Sequence, residues 1–490
     1  MYNDVVKSFF NTRKGSMYNE PRGSDVYSGV DIDYSGKQIT PNNFLAILRG
    51  DAASMQGVGT GRVIASGPTD RVFVYFADHG APGFLAFPSK LLLVPVQLYA
   101  RDLIRTLKAM HGAGKYGSMV LYVEACESGS VFNGLLPSNI SAMAVTAAAP
   151  QEPSMACYYN NTLGTFLGDC FSNHWLEHED SSPDSAETIG DQVAKVRAAT
   201  NTSHVCVYGD LSLAALPAAS FLGAGNSGAV GAIKSTGAVE AVGAVGATGA
   251  VAGASHVSSR DVVLESLRRQ LLDAQEALGG YTRSLPAVEE DADEDAEDEE
   301  AMPRSVESPR ERVHRITRML RREEKANRRA DKTFREIAAS LAGGRYTHAA
   351  NKEGAVEKLL VPEPQPPRTR CHGPKVEDFD CLEAAVAAVT KSCGAFSDYS
   401  LQYAGVVQRA CDSGYSAGAI AAAAQEACTR GGKRGKAQRK GACSAATQAD
   451  CDAGPACTWC VSAAVPSMCY TLAKAAKLPP AIFKCDAKTE

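Results

Sequence analysis

The chain has 490 residues, too many for a single hydrophobic core, so two or three domains are expected. A hydrophobic fraction of 45 % is ordinary for folded protein, and a net charge of −5 gives no general reason to expect nucleic-acid binding. No apolar run is long enough to span a membrane, and Met1-Tyr2-Asn3-Asp4 has neither the basic start nor the apolar stretch of a signal peptide.

Residues 1–215 read as one α/β domain. Short apolar runs at 72–77, 119–123, 143–148 and 204–208 have the length of strands and are mostly β-branched or aromatic. Stretches of helical character, such as 41–49 and 96–110, lie between them. That alternation implies a mainly parallel sheet covered on both faces. Residues 216–260 are rich in Gly, Ala, Val and Ser and read as a linker. Within 261–345, Leu264, Leu267, Leu271 and Leu278 mark one face of a helix. The run 289–300 then carries ten carboxylates and is expected to be disordered. Residues 310–335 follow as a basic helix, with Val313, Ile316, Leu320, Phe334 and Ile337 near helical spacing. Two readings fit it: a solvated helix, or one lying across an acidic cleft.

Of fifteen cysteines, eleven fall in the last 120 residues, split between an Ala-rich helical segment at 371–430 and a small module at 441–490. Such crowding reads as a disulfide framework formed in an oxidising compartment. Sequons at Asn139, Asn160 and Asn201 agree with a secretory route. The pair Cys457 and Cys460 has a metal-ligand spacing, but six cysteines in so small a unit are better explained as three disulfides. No metal and no cofactor are expected.

Two strand ends carry the chemistry. The run 72–77 ends in Asp78-His79-Gly80, and the run 119–123 ends in Glu124-Ala125-Cys126-Glu127-Ser128-Gly129. In open α/β sheets ligands bind beyond the carboxyl ends of strands, which is where this His and this Cys would meet. A free thiol, with a pKa near about 8.5, is mostly protonated at neutral pH. An adjacent imidazole shifts it toward thiolate and later protonates the leaving amine. Gly80 leaves room for a backbone N–H, which with the N–H of Cys126 forms an oxyanion site worth roughly 2.7–4 kcal/mol per donor. Taken singly, a His at a strand end is usually structural and a lone Cys usually a small core residue.

The wider pattern joins them. Residues 43–51, 72–88, 122–130, 156–159, 165–169 and 200–204 resemble the legumain (asparaginyl endopeptidase) family, within the caspase-like clan of cysteine peptidases. The resemblance implies a caspase-like, mainly parallel sheet flanked by helices, followed by an all-α disulfide-linked prodomain and a small Cys-rich module. His79 and Cys126 take the dyad roles. Glu124 and Asp169 match the acidic walls of a pocket for a substrate Asn, and Ser154 the position that aligns the substrate backbone as an added strand. Cys381–Cys411 and Cys393–Cys428 are the implied prodomain disulfides.

The implied activity is hydrolysis after Asn, and after Asp in acid, by an autoactivating proenzyme, with peptide ligation as a further option. Its partners are protein and peptide substrates and its own prodomain as inhibitor, with neither nucleic acid nor membrane. Asn226 and Asp261 are the expected activation sites, and a vacuole or lysosome the expected location. Against the family plan, the chain starts past the first strand, which normally carries an Asn that orients the His and an Arg that completes the pocket. Two other readings stay open: a non-catalytic binding protein on the same fold, and a metacaspase-like peptidase that cuts after Arg or Lys.

Overall fold

The computed structural model describes residues 1, 11, 13–21, 23–88, 96–181, 186–222, 256–278, 308–343, 352–362 and 371–438, with 448, 451, 457–462, 468–471, 475 and 483–485 beyond them. The chain divides into two compact units, residues 1–423 and 424–490. The first opens with α1 (Pro41–Arg49), β1 (Arg71–Ala77), β2 (Gly80–Ala81), β3 (Phe84–Phe87), β4 (Val96–Tyr99), α2 (Ala100–Gly112), β5 (Ser118–Glu124) and β6 (Ala142–Thr146). Next come β7 (Met155–Asn160), β8 (Thr165–Asp169), α3 (Cys170–Ser181), α4 (Ile189–Ala199), β9 (Cys206–Gly209) and α5 (Ala219–Leu222). After the linker follow β10 (Val257–Ser258), α6 (Val262–Ala277), α7 (Pro309–Gly343), α8 (Lys352–Leu360), α9 (Phe379–Cys393) and α10 (Ala404–Asp412).

The main sheet has the order β1-β5-β6-β9, its first three strands parallel and β9 antiparallel to β6. Strand β5 is buried along its whole length, and the two-residue period of a strand divides its side chains between two cores. Met119, Leu121 and Val123 pack with Leu45 and Leu48 of α1 and with Leu103, Leu107 and Met110 of α2. Val120 and Tyr122 face the other way, against Phe171 and Trp175 of α3 and Val193 and Val196 of α4. Burial of each such side chain contributes about 1.5–3 kcal/mol, which fixes the register of the strands that carry the site. Helix α1 shows why its residues start and stop where they do. The Thr40 hydroxyl accepts from the Asn43 N–H at 3.2 Å, Pro41 takes the first turn, and Gly50 ends the helix at φ 69°.

One expectation is corrected. Residues 96–99 are not helical: they form β4, which pairs antiparallel with β3 through Phe84↔Tyr99 and Phe87↔Val96. The helix begins only at Ala100. Val96-Gln97-Leu98-Tyr99 runs from an exposed to a buried end, and pairing with the neighbouring strand overrides its continuity with the helical pattern that follows.

Helices α6 and α7 bury Leu267, Ala274, Val313 and Ile316 between them. Further along α7, the Phe334 ring stacks on Tyr403 at 4.7 Å, and Asp331 accepts from the hydroxyls of Tyr399 and Tyr403 at 2.7 and 2.6 Å. The basic helix thus braces the turn at 398–403 with its apolar face.

Among the described residues, this unit holds the disulfides Cys157–Cys170, Cys206–Cys371 and Cys381–Cys411. In the second unit β11 (Cys457–Ser462) pairs antiparallel with β12 (Met468–Thr471) and β13 (Phe483–Cys485), stapled by Cys451–Cys469 and Cys460–Cys485. Cys457 is disulfide-bonded as well, so neither sulfur of the C-x-x-C pair is a free thiolate for a metal. Among the described residues no helix is long and apolar enough to cross a membrane.

Candidate active site

Strands β1 and β5 run parallel in the register Tyr75↔Tyr122 and Ala77↔Glu124. The ladder continues one step further, with the Asp78 N–H on the Glu124 carbonyl at 3.2 Å. Asp78-His79 and Ala125-Cys126 therefore leave the sheet side by side at its carboxyl end. The close approach explains Gly80: a Cβ there would sit 2.3 Å from the carbonyl oxygen of Cys126. His79 and Cys126 line one cavity of about 320 Å³ with Asp78, Ser154, Asp169, Ser259, Arg260 and Asp398. No residue of the basic helix α7 is among its lining residues.

Of the two acidic residues expected to wall the pocket, Asp169 lines the cavity and Glu124 does not. Glu124 is 1 % exposed, and its Oε2 accepts from the Ser172 N–H at 2.9 Å and the Ser172 hydroxyl at 3.0 Å. Its Oε1 is buried with no hydrogen-bond partner. Asp169 ends β8 and accepts the Ser259 hydroxyl at 2.6 Å. Burial pushes both carboxyls up; the neighbouring Asp169 charge adds to the effect on Glu124, while the Ser259 hydroxyl and His79 oppose it on Asp169. A buried carboxylate oxygen without a donor is a place where a ligand N–H fits.

The surroundings of His79 and Cys126 shift both groups. The Cys126 thiol is 1 % exposed, and its Sγ lies 3.7 Å from the Ser154 hydroxyl. Burial pushes this thiol up to about 12; Arg260 pulls it down and Glu127 pushes it up again. Burial acts to lower His79, but the Asp398 carboxylate 3.4 Å from its Nε2, with Asp78 and Asp169, outweighs that and raises it to about 9. Asp398 is lowered by the same pairing. At neutral pH the thiol keeps its proton and the imidazole already carries one, so it has no lone pair to act as base.

The cavity is occupied by the chain itself. Strand β10 adds antiparallel to β7, with Val257↔Ala156 and Ser258↔Met155. The Ser259 N–H continues the pairing onto the Ser154 carbonyl at 3.0 Å, and the Ser259 side chain enters the acidic pocket. Arg260 pairs with Glu127, the residue directly after Cys126. Its Nη1 donates to Glu127 Oε1 at 3.0 Å, and its Nη2 to Glu127 Oε2 and, at 3.0 Å, to the Gly80 carbonyl. Asp261 follows as the residue preceding α6, outside the lining.

The remaining predicted residues lie apart from the cavity. Cys381 and Cys411 are bonded to each other, with Cα atoms 5.8 Å apart, and Cys393 and Cys428 are each disulfide-bonded. Asn139 and Asn201 are exposed; Asn160 is half-buried and accepts the Leu163 N–H at 3.0 Å. Asn226 lies outside the described residues. Sequence reasoning did not find Ser259, Arg260, Glu127 and Asp398 as site residues, nor the Cys157–Cys170 and Cys206–Cys371 bonds. Glu127 was quoted as part of a motif and had a signal, its place directly after the cysteine; the others had none, because they come from distant segments. The sulfurs of Cys157 and Cys170 lie within 4.8 Å of a His256 nitrogen, but in a disulfide they are not metal ligands.

Fold and site define a caspase-like α/β protein with a thiol and an imidazole at one sheet end, a constellation suited to acyl transfer at sulfur. Residues 1–224 match the family model described as Peptidase C13 family, and residues 318–428 match that of the legumain prodomain. The legumain of Bos taurus is 48 % identical over 223 residues, covering 46 % of this chain and 50 % of the relative; that of Homo sapiens is 45 % identical over the same span. The match spans about half the length of these relatives. The vacuolar-processing enzyme delta-isozyme of Arabidopsis thaliana is 31 % identical over 442 residues, covering 88 % of this chain and 81 % of the relative. The chain belongs to the peptidase C13 (legumain) family.

Proposed function

We propose that this protein is the latent form of a cysteine endopeptidase that hydrolyses peptide bonds after Asn, and after Asp once acid has protonated the substrate carboxyl. The observation that carries the reading is the segment 257–260, laid on β7 as a peptide substrate would lie, with Ser259 in the acidic pocket beside Cys126. Serine offers a hydroxyl where a substrate Asn offers an amide, so the resident strand fills the pocket without matching it. A substrate amide N–H₂ would meet Asp169, which lines the cavity and now accepts from the Ser259 hydroxyl.

Once the segment and Asp398 withdraw, His79 loses its counter-charge, releases its extra proton to solvent and, as a neutral imidazole, takes the Cys126 proton. The thiolate attacks the carbonyl carbon, the N–H groups of Gly80 and Cys126 stabilise the oxyanion, and the imidazolium protonates the departing amine. Water then resolves the thioester; an incoming peptide amine resolving it instead gives ligation. Acid favours opening through Glu127. Burial pushes its carboxyl up, so it protonates at milder pH than an exposed glutamate and leaves a buried Arg260 without counter-charge. The setting we infer is an acidic, oxidising compartment of the vacuolar or lysosomal kind.

The test is acid treatment of the full-length protein followed by steady-state cleavage of matched peptides with Asn, Asp, Gln or Arg before the scissile bond. At about pH 6 the Asn peptide leads, and the Asp peptide gains on it toward about pH 4, where its carboxyl protonates. Preference for Arg supports the metacaspase-like reading instead, and no cleavage at any pH supports the non-catalytic one.

A further inference from the structure

Glu127 has no role in the reaction just described, yet the chain gives it a built environment. Its side chain is 8 % exposed, its N–H is tied to the Glu152 carbonyl at 2.8 Å, and its backbone sits at φ 47°. A non-glycine residue in the left-handed region is uncommon and is held there by its surroundings. Here the surroundings aim the carboxylate at the space just past Cys126. With the Gly80 carbonyl it presents three oxygens converging on one guanidinium.

We propose that Glu127 and the Gly80 carbonyl form a subsite for a cationic side chain on the substrate residue that follows the scissile bond. This rests on the endopeptidase reading and names a selectivity within it. The register comes from the resident segment. Ser259 pairs with Ser154 and enters the acidic pocket, so the next residue, Arg260, stands in the place of the first residue on the leaving side. Its side chain is 6 % exposed, so the subsite takes up the whole guanidinium rather than brushing it at the rim.

The groups that face Glu127 are Arg260, Arg409 of α10, Glu152 and Cys126. Both cations belong to the segments that must withdraw for substrate to enter, and Glu152 and Cys126 supply no positive charge. An open cleft therefore holds a buried carboxylate whose cations have left. A peptide bringing Arg or Lys restores the pair, and one bringing Glu adds repulsion. Arg is favoured over Lys, because a planar fork can serve two carboxylate oxygens and a carbonyl at once.

The experiment uses acid-activated protein and four peptides identical except for Arg, Lys, Ala or Glu directly after Asn. At about pH 6 the expected kcat/KM for Arg exceeds that for Ala by about tenfold or more, with Lys between them and Glu lowest. The difference resides mainly in KM, because the contact is made equally in ground and transition states. Glu127→Gln brings the Arg/Ala ratio to within about twofold, and acidification toward about pH 4 narrows it in the wild type. An Arg/Ala ratio within about twofold in the wild type overturns the subsite and confines Arg260 to latency, while the endopeptidase reading stands. A ratio that survives Glu127→Gln also overturns it. Cleavage of none of the four removes the endopeptidase reading, and the subsite with it.

Discussion

Replacing Asp398 by Asn removes the carboxylate that keeps His79 charged. In the latent chain His79 is raised from 6.5 to about 9, an interaction of roughly 3 kcal/mol at 1.36 kcal/mol per unit. Asp398 is 59 % exposed, however, and Asp78 and Asp169 also contribute, so solvent screening reduces its own share to about 1 kcal/mol. The His79 midpoint should therefore fall by about one unit in the variant. NMR titration of the histidine ring, in full-length protein carrying Cys126→Ala so that no self-cleavage intervenes, reads it directly. An unchanged midpoint refutes the assignment of Asp398 as the group that holds the imidazolium. The raised His79 contributes stability fully below pH 6.5 and loses it as pH rises through about 9. The lowered Asp398 contributes above its ordinary 3.8 and fails only as pH falls below it. Between these limits the pair is intact, so mild acid cannot release the latent state through this contact. The acid-sensitive element has to be a carboxyl that burial has raised; Glu127, paired with Arg260, and Asp169, bonded to Ser259, both hold the segment in this way.

Arg260→Ala in the full-length chain should expose the thiol. It strands a buried Glu127 at a cost of about 3–5 kcal/mol to the closed state, so alkylation of Cys126 by iodoacetamide at about pH 7 should quicken by at least about 10²-fold; an unchanged rate contradicts the lock. Cutting within the linker should leave the prodomain covalently attached through Cys206–Cys371, beyond any electrostatic hold. The fragments should run as one band without reductant and as two with it, or as two throughout in Cys206→Ser; two bands from the unreduced wild type contradict the tether.

The fold class was legible, and so was the placing of His79 and Cys126 at one sheet end, because each rests on local pattern. Strand-like runs ending in Asp78-His79-Gly80 and Glu124-Ala125-Cys126 are visible in the sequence, but it was the wider family resemblance that joined the His to the Cys. Strand β4 was not legible, since Val96–Tyr99 runs into a helix and only its pairing with β3 marks the break. The occupant of the cleft was hidden for a different reason. Val257-Ser258-Ser259-Arg260 trails a Gly/Ala-rich linker and carries no periodic signal; it becomes a strand only because β7 offers an edge. The basic charge of 310–335 suggested a cover for an acidic pocket, yet among the described residues the arginine that lines the cavity is Arg260, and α7 packs against α6. Cys206 and Cys371 are 165 residues apart, and no spacing rule pairs them.

The central claim is that one thiol and one imidazole perform the reaction. Its most direct test is the rate of cleavage of an Asn-containing peptide by acid-treated wild type, Cys126→Ala and His79→Ala, each first shown to be folded by its thermal transition. The account predicts that Cys126→Ala has no measurable turnover and that His79→Ala loses at least about 10²-fold. Turnover within about tenfold of the wild type in either variant, with the fold intact, contradicts it.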